Sequence, residues 1–190
     1  MPSRSVPLVN GLYYHIFNRV SESKKLFYSQ ADYISYLTLW QDVDFSTCCK
    51  LIAYCLMPNH YHYLLQITDE RLFPRKLSYF FNKYLKSLNT KRNEQGRYFE
   101  NRFKAKVIED ERYLVGVCCY IHLNPVKANL VLSPRDWPFS NYLEFIGRRK
   151  GVLWDRLFLK EYFQSPSEYE EFIKSEYDET EVDQFGFDRD

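Results

Sequence analysis

No stretch of the 190-residue sequence runs to 18 apolar residues, so nothing in it reads as a membrane-spanning helix. The opening residues, MPSRSVPLVNGLYY, lack the apolar core of a secretory signal. Cysteine is sparse and poorly placed for scaffolding. Cys48, Cys49, Cys55, Cys118 and Cys119 are odd in number, include two adjacent pairs, and offer no CxxC spacing. That argues against a disulfide framework and against a thiolate zinc site. A cytoplasmic location is the expectation. Internal repeats and low-complexity linkers are absent as well, and the net charge is only +1.

What is present is ordinary in bulk and uneven in detail. A chain of this length with 45% apolar and 27% charged residues suits one domain with a modest appendage. Aromatic residues reach 18%, with 17 Tyr and 15 Phe, enough to fill a core, stack on bases or supply phenols. The small net charge hides two blocks. From Arg71 to Lys106 eleven Lys and Arg face only Glu94 and Glu100, whereas from Glu161 to Asp190 eleven Asp and Glu face only Lys174 and Arg189. The basic block fits a phosphate-backbone surface or a solvated helix face, and charge alone does not separate the two. In the second case the acidic end is the compensating counterpart of the basic face.

Hydrophobic periodicity orders the elements. GLYYHIFNRV alternates as a strand, and SQADYISYLTLWQDV carries Ile34, Leu37 and Trp40 at helical spacing behind Ser29 as N-cap. KLIAYCL and HYHYLLQI flank the turn dipeptide Pro58-Asn59 and predict a hairpin. RKLSYFFNKYLKSLNTKRNEQG predicts a long basic helix stopped by Gly96, followed by the strand RFKAKVI. DERYLVGVCCYIHLNP predicts a helix capped by Asp110 and ending before Pro125. WPFSNYLEFIG reads as a turn into a short helix, SPSEYEEFIKSEY as a helix capped by Ser165 or Ser167, and the final dozen residues as disordered or loosely docked. The β-α-β-β-α-β order predicts an α+β, ferredoxin-like antiparallel sheet with helices on one face and a C-terminal helical extension. The expected boundary separates residues 1–147 from a 148–190 extension with an acidic tail.

Two of the four histidines, His60 and His62, sit one residue apart. On a strand they share a face, with Tyr61 and Tyr63 on the other, so they are either a metal pair or polar residues on a half-exposed strand. Two imidazoles need a third ligand, to be sought among His15, His122, carboxylates and amides. In YIHLNP, Tyr120 and Asn124 lie four apart, about 40° round a helix, which sets a phenol beside a metal-capable amide. On composition alone, core packing for Tyr120 and helix termination before proline for Asn124 are the favoured readings. Tyr84 is a rival phenol, but its nearest downstream amide, Asn89, lies five positions on, about 140° round the helix.

The blocks MPNHYHYLL, GRYFENRFKAKVIEDERYL, YIHLNPVKANLV and DWPFSNY resemble, in order and spacing, those of the REP-associated tyrosine transposases, members of the single-tyrosine HUH transposases. The likeness runs from about Gly11 to Gly147, with Tyr61 where the family usually has an aliphatic residue. The resemblance implies a divalent ion, Mg²⁺ or Mn²⁺, held by His60, His62 and Asn124. It implies Tyr120 as nucleophile in the cleavage of single-stranded DNA through a 5′-phosphotyrosine, on palindromic repeats that fold as hairpins beside a single-stranded tetranucleotide. For the backbone phosphates the candidates are Lys83, Lys86, Lys91, Arg92, Arg97, Arg102, Lys104 and Lys106, with Phe99 and Phe103 as stacking or core residues. Arg135, Trp137 and the segment after Gly147 are candidate specificity elements by position. A nucleoid-associated protein is implied; relatives include both dimers and monomers, and the absence of an apolar surface strip in the sequence favours a monomer. The competing readings are a non-catalytic DNA-binding protein of the same fold, an RRM-type RNA binder, and a metal-dependent hydrolase that uses water.

Overall fold

The computed structural model describes residues 6–178. The strands are β1 (Tyr13–Arg19), β2 (Cys49–Met57), β3 (His60–Ile67) and β4 (Lys104–Ile108). The helices are α1 (Gln30–Val43), α2 (Leu72–Arg92), α3 (Glu111–Lys127), α4 (Tyr142–Phe145), α5 (Arg156–Tyr162) and α6 (Pro166–Asp178). The acidic residues from Glu179 onward, expected to be disordered or loosely docked, lie outside the described residues.

One antiparallel sheet forms in the order β2-β3-β1-β4, the ferredoxin-like arrangement. Period-two alternation sorts its side chains between two cores. Tyr14, Ile16, Tyr54, Leu56, Tyr61, Tyr63 and Leu65 join the first, beneath α1 and α2. Cys55, Met57, Leu64 and Ile108 join the second, with α3, α4, α5 and α6. The two helices of the β-α-β-β-α-β unit therefore share one face, and α3 with the C-terminal helices covers part of the other. Phe158, Leu159, Tyr169 and Ile173 are buried in that second core, so residues beyond Gly147 pack directly on α3.

The docking of α2 follows from its apolar stripe. Phe73, Leu77, Phe80, Phe81, Tyr84 and Leu88 recur at helical spacing and are all buried. Burying one such side chain contributes about 1.5–3 kcal/mol, against about 0–1 kcal/mol for an exposed ion pair. The stripe, not the lysines, decides which way the helix faces. Tyr61 takes part in this core, wholly buried and stacked on Phe81 with centroids 5.0 Å apart, so the bulky residue between the histidines is accommodated.

Three local expectations are revised. α2 stops at Asn93 rather than Gly96, because Asn93 adopts the left-handed conformation (φ 51°) and its N–H returns to the carbonyls of Asn89 and Thr90. α3 runs through Pro125 to Lys127. Asn129 (φ 54°) then closes it, its N–H bonding the Val126 carbonyl while the Leu130 N–H bonds that of Pro125, a Schellman ending. The third revision is α5, which is too short for its periodicity to stand out and was absent from the predicted elements; Asp155 caps it by accepting from the Leu157 N–H at 2.9 Å. The cap of α6 is Ser165, whose hydroxyl accepts from the Glu168 N–H at 3.2 Å.

Candidate active site

The hairpin places His60 as the first residue of β3, opposite Met57, with Pro58-Asn59 as the connection. Antiparallel pairing then sets Arg19 opposite His60, Phe17 opposite His62 and His15 opposite Leu64. Across β1, Lys104 stands opposite Phe17 and Lys106 opposite His15. Alternation puts His15, Phe17, His60, His62, Lys104 and Lys106 on one face. The ammonium groups of Lys104 and Lys106 lie 5.8 and 5.7 Å from the Phe17 ring centroid.

Helix α3 brings Tyr120 to this face. Its ring meets that of His62 edge-on, with centroids 5.7 Å apart and planes at 89°, and that of His15 at 5.9 Å. The rings of His60 and His62 are 4.9 Å apart and nearly perpendicular. Asn124, 5% exposed, follows one turn after Tyr120 and donates its amide N–H to the Tyr120 carbonyl at 3.0 Å, which leaves Oδ1 as its acceptor end. Lys127 places its ammonium 5.4 Å from the Tyr120 ring centroid.

The two histidines suit a cation. Asn59 Oδ1 lies 2.7 Å from His60 Nδ1, which leaves Nε2 as the nitrogen of that ring that could coordinate. His62 Nδ1 lies 2.9 Å from His15 Nε2, while His62 Nε2 is buried and has no hydrogen-bond partner among the described residues. Burial, then the neighbouring His15, His60 and Arg19, pushes His62 well below the usual imidazole pKa, so it is neutral near pH 7. Burial, then Lys106, lowers His15 to about 3. Among the described residues no three His, Cys, Asp or Glu side chains cluster as metal ligands. A third protein ligand would have to be of another type, such as the Asn124 amide.

The other predicted residues divide by face. Tyr84 lies in the core beneath α1 and α2, donates to the Leu26 carbonyl at 2.6 Å and has its pKa raised by burial, so it is remote from the histidines and poorly suited to attack. Lys83, Lys86, Lys91 and Arg92 ride on α2, across the sheet from the histidines. Lys91 is held by Asp32 at 2.6 Å, and Arg92 pairs with Glu94 at 2.8 Å and covers the Tyr28 ring at 3.4 Å. Lys86, Arg97 and Arg102 line a cleft of about 1080 Å³ between α2 and the 94–103 segment, with Phe99 and Phe103 in its wall. Arg135 pairs with Glu170 of α6, and the Trp137 indole N–H donates to the Leu56 carbonyl at 3.1 Å while its ring packs against both cores.

His122 has a structural place. Asn141 Nδ2 donates to the Ile52 carbonyl and its Oδ1 accepts from the Tyr54 N–H, which fixes the amide's orientation. His122 Nε2, 3.0 Å from that Oδ1, must be the donor, and Nδ1 accepts from the Tyr169 hydroxyl at 2.6 Å. Sequence reasoning left this residue unassigned, and it did not single out Asn59, Arg19 or Lys127. Only the seven-residue spacing of Lys127 from Tyr120, two helical turns, was available as a signal.

One sheet face thus brings together paired histidines, a tyrosine from a crossing helix and several cations. Residues 8–124 match the family described as "Transposase IS200 like", and the chain belongs to that family. It is 26% identical over 103 residues to a Haemophilus influenzae protein carried under the provisional name REP-associated tyrosine transposase, covering 49% of this chain and 58% of that protein. The chain thus spans little more than half the length of that relative. In three dimensions it is similar to a solved REP-associated tyrosine transposase bound to a REP hairpin, with a TM-score of 0.64, 18% identity, and coverage of 82% of this chain and 94% of that one. Among the described residues no helix is long and apolar enough to cross a membrane.

Proposed function

We propose that the protein cleaves and rejoins single-stranded DNA at hairpin-forming repeats, with Tyr120 as nucleophile and His60, His62 and Asn124 as ligands of Mg²⁺ or Mn²⁺. The observation that carries this reading is the edge-on contact of the Tyr120 ring with His62, on the face that also presents His60.

In the first step a bond forms between Tyr120 Oη and the scissile phosphorus, and the bond from phosphorus to the 3′ oxygen breaks. The phenol proton leaves, the departing oxygen takes up a proton, and DNA remains as a 5′-phosphotyrosine. Attack on that linkage by a 3′-hydroxyl reverses the bond changes and frees the phenol, dividing one transfer into two covalent steps. A bound divalent ion would polarise the phosphate as a Lewis acid and hold it in line. Mn²⁺ is the better match to two imidazoles, although both ions accept an amide oxygen.

The chain's own groups supply the rest. Lys127 stands beside the Tyr120 ring, where its charge favours the phenolate. Lys104, Lys106 and Arg19 give the same face a positive potential for the DNA backbone, and Phe17 between them offers a ring for a base. The remaining candidates, Lys83, Lys86, Lys91, Arg92, Arg97 and Arg102, would contact a duplex stem only if it wrapped around the sheet edge.

The test is an SDS-resistant protein–DNA adduct formed from single-stranded hairpin DNA and Mn²⁺. Wild type and Tyr84→Phe should form it, and Tyr120→Phe should not. Adduct from Tyr120→Phe would overturn the nucleophile assignment. Binding without adduct for any hairpin would favour a non-catalytic DNA-binding protein.

A further inference from the structure

We propose that His15 is a positioning residue for the metal site. It accepts the proton on Nδ1 of His62 and so fixes the tautomer in which His62 Nε2 presents a lone pair to the cation. This rests on the reading of His60 and His62 as ligands.

The geometry identifies the contact as a hydrogen bond rather than a shared ion. His15 Nε2 and His62 Nδ1 are 2.9 Å apart, the ring centroids are 5.1 Å apart, and the planes differ by 17°. The centroid separation is close to the N···N distance plus one ring radius at each end. The rings therefore meet head-on in nearly one plane, each nitrogen's in-plane axis aimed at the other. Two imidazoles on one cation would instead converge on a third point, because tetrahedral and octahedral ions hold neighbouring ligands at a wide angle. Between these nitrogens there is room for one proton.

Which ring owns that proton decides what the other end of His62 can do. A neutral imidazole has one N–H and one acceptor nitrogen. If His62 Nδ1 carries the proton, it donates to His15, and Nε2 is an acceptor ready for a metal. If His15 Nε2 carries it, His62 must hold its own proton on Nε2, where it would block coordination. That atom is buried, and a cation is the partner its lone pair would take. Coordination at Nε2 therefore requires His62 to be the donor.

His15 is well held for this task. It is fully buried on β1, which is paired on both sides, opposite Leu64 of β3 and Lys106 of β4. Its ring stacks on Phe17 with centroids 4.8 Å apart and planes at 24°. A ring fixed by two ladders and a neighbouring aromatic cannot swing away, and that rigidity passes to His62. The arrangement parallels that of Asn59 behind His60. Each ligand histidine then has a partner on the nitrogen that does not coordinate, the outer-shell support typical of metal-bound histidines.

The experiment uses the full chain with Mn²⁺ as probe, its affinity read by titration with electron paramagnetic resonance detection. Wild type is compared with His62→Ala, His15→Leu and His15→Gln, the last able to place an amide oxygen near the accepting position. Long-range ¹H–¹⁵N spectra of the metal-free proteins report the His62 tautomer directly. We expect His15→Leu to weaken Mn²⁺ binding about 10- to 100-fold, His15→Gln to restore most of it, and wild-type His62 to carry its proton on Nδ1. Tight binding that survives His62→Ala would refute the metal site itself and the role of His15 with it. Loss in His62→Ala but unchanged affinity in His15→Leu would overturn the role of His15 alone. Equal losses in the Leu and Gln variants, or a His62 proton on Nε2, would overturn it too.

Discussion

His122 and Tyr169 are 47 residues apart in sequence and joined by a buried hydrogen bond of 2.6 Å. The bond ties α3, which carries Tyr120, to α6, so the C-terminal helices help to hold Tyr120 in place. Tyr169→Phe removes the hydroxyl and leaves His122 Nδ1 buried without a donor. Such a loss costs about 1–3 kcal/mol, and urea unfolding followed by circular dichroism should show it as a lower midpoint with an unchanged slope. An unchanged midpoint would mean that water replaces the phenol at no cost.

The same histidine makes stability depend on pH. Burial, partly countered by the bond to Asn141, lowers His122 to about 4, from an ordinary value of 6.5. Between those limits the unfolded chain binds the proton and the folded chain does not, so stability falls as pH drops from 6.5 and the loss is complete near 4. The loss attributable to this one residue is on the order of 3 kcal/mol. Unfolding midpoints at pH 7, 5.5 and 4 in the presence of a chelator should decline in that order. His122→Gln should flatten the decline even though it lowers stability at pH 7. An equally steep decline in that variant would transfer the effect to other groups, His15 and His62 first.

Lys127 gives a kinetic prediction. Its ammonium lies 5.4 Å from the Tyr120 ring centroid, in position to stabilise charge developing on the phenolate. A contribution of about 1.4 kcal/mol in the transition state corresponds to a tenfold change in rate. Lys127→Ala should slow adduct formation by about that factor at neutral pH, with a smaller deficit at high pH where the phenol ionises unaided. Lys127→Arg should retain most of the rate. An effect on DNA affinity alone would reassign Lys127 to backbone binding.

Local pattern carried much of the fold and of the layout of the candidate site. Period-two alternation placed His60 and His62 on one face, and the four-residue step from Tyr120 to Asn124 placed a phenol near an amide. Both are consequences of backbone geometry within one element, and both are legible without tertiary information. The contact of His15 with His62 was not legible, because it depends on the β1–β3 register between residues 47 apart in sequence. The basic block was visible, but its side of the sheet was not. That was decided by the stripe from Phe73 to Leu88, which docks α2 against Tyr61 and Tyr63 and leaves Lys83, Lys86, Lys91 and Arg92 away from the histidines. Pro125 misled for a related reason. Its missing N–H costs only the bond to the Ile121 carbonyl, and the last turn continues through Lys127 to close at Asn129.

Removing the metal should separate binding from chemistry. If His60 and His62 hold the cation, a chelator abolishes the adduct while the cations of the same face still attract DNA. Hairpin affinity measured by fluorescence anisotropy should then change by less than about tenfold, or 1.4 kcal/mol. His62→Ala should behave like the chelated wild type. Full adduct yield in chelator would show that the phenol attacks without a metal.

The division of cations between the faces sets the last prediction. Lys104 and Lys106 flank Phe17 on the histidine face, whereas Lys91 is committed to Asp32 at 2.6 Å on the opposite side. Asp32 also accepts the backbone N–H groups of Tyr28 and Ser29 at the start of α1, each at 2.9 Å, so Lys91 neutralises a carboxylate that caps a helix. Each phosphate contact to a single strand contributes about 0.7 to the slope of log affinity against log salt. Replacing Lys104 and Lys106 together by Ala should lower that slope by about 1.4 and weaken single-strand binding most at low salt. Lys91→Ala should leave the slope unchanged and lower the unfolding midpoint instead. The reverse pattern would move the DNA to the α2 side of the sheet and leave Tyr120 out of its reach.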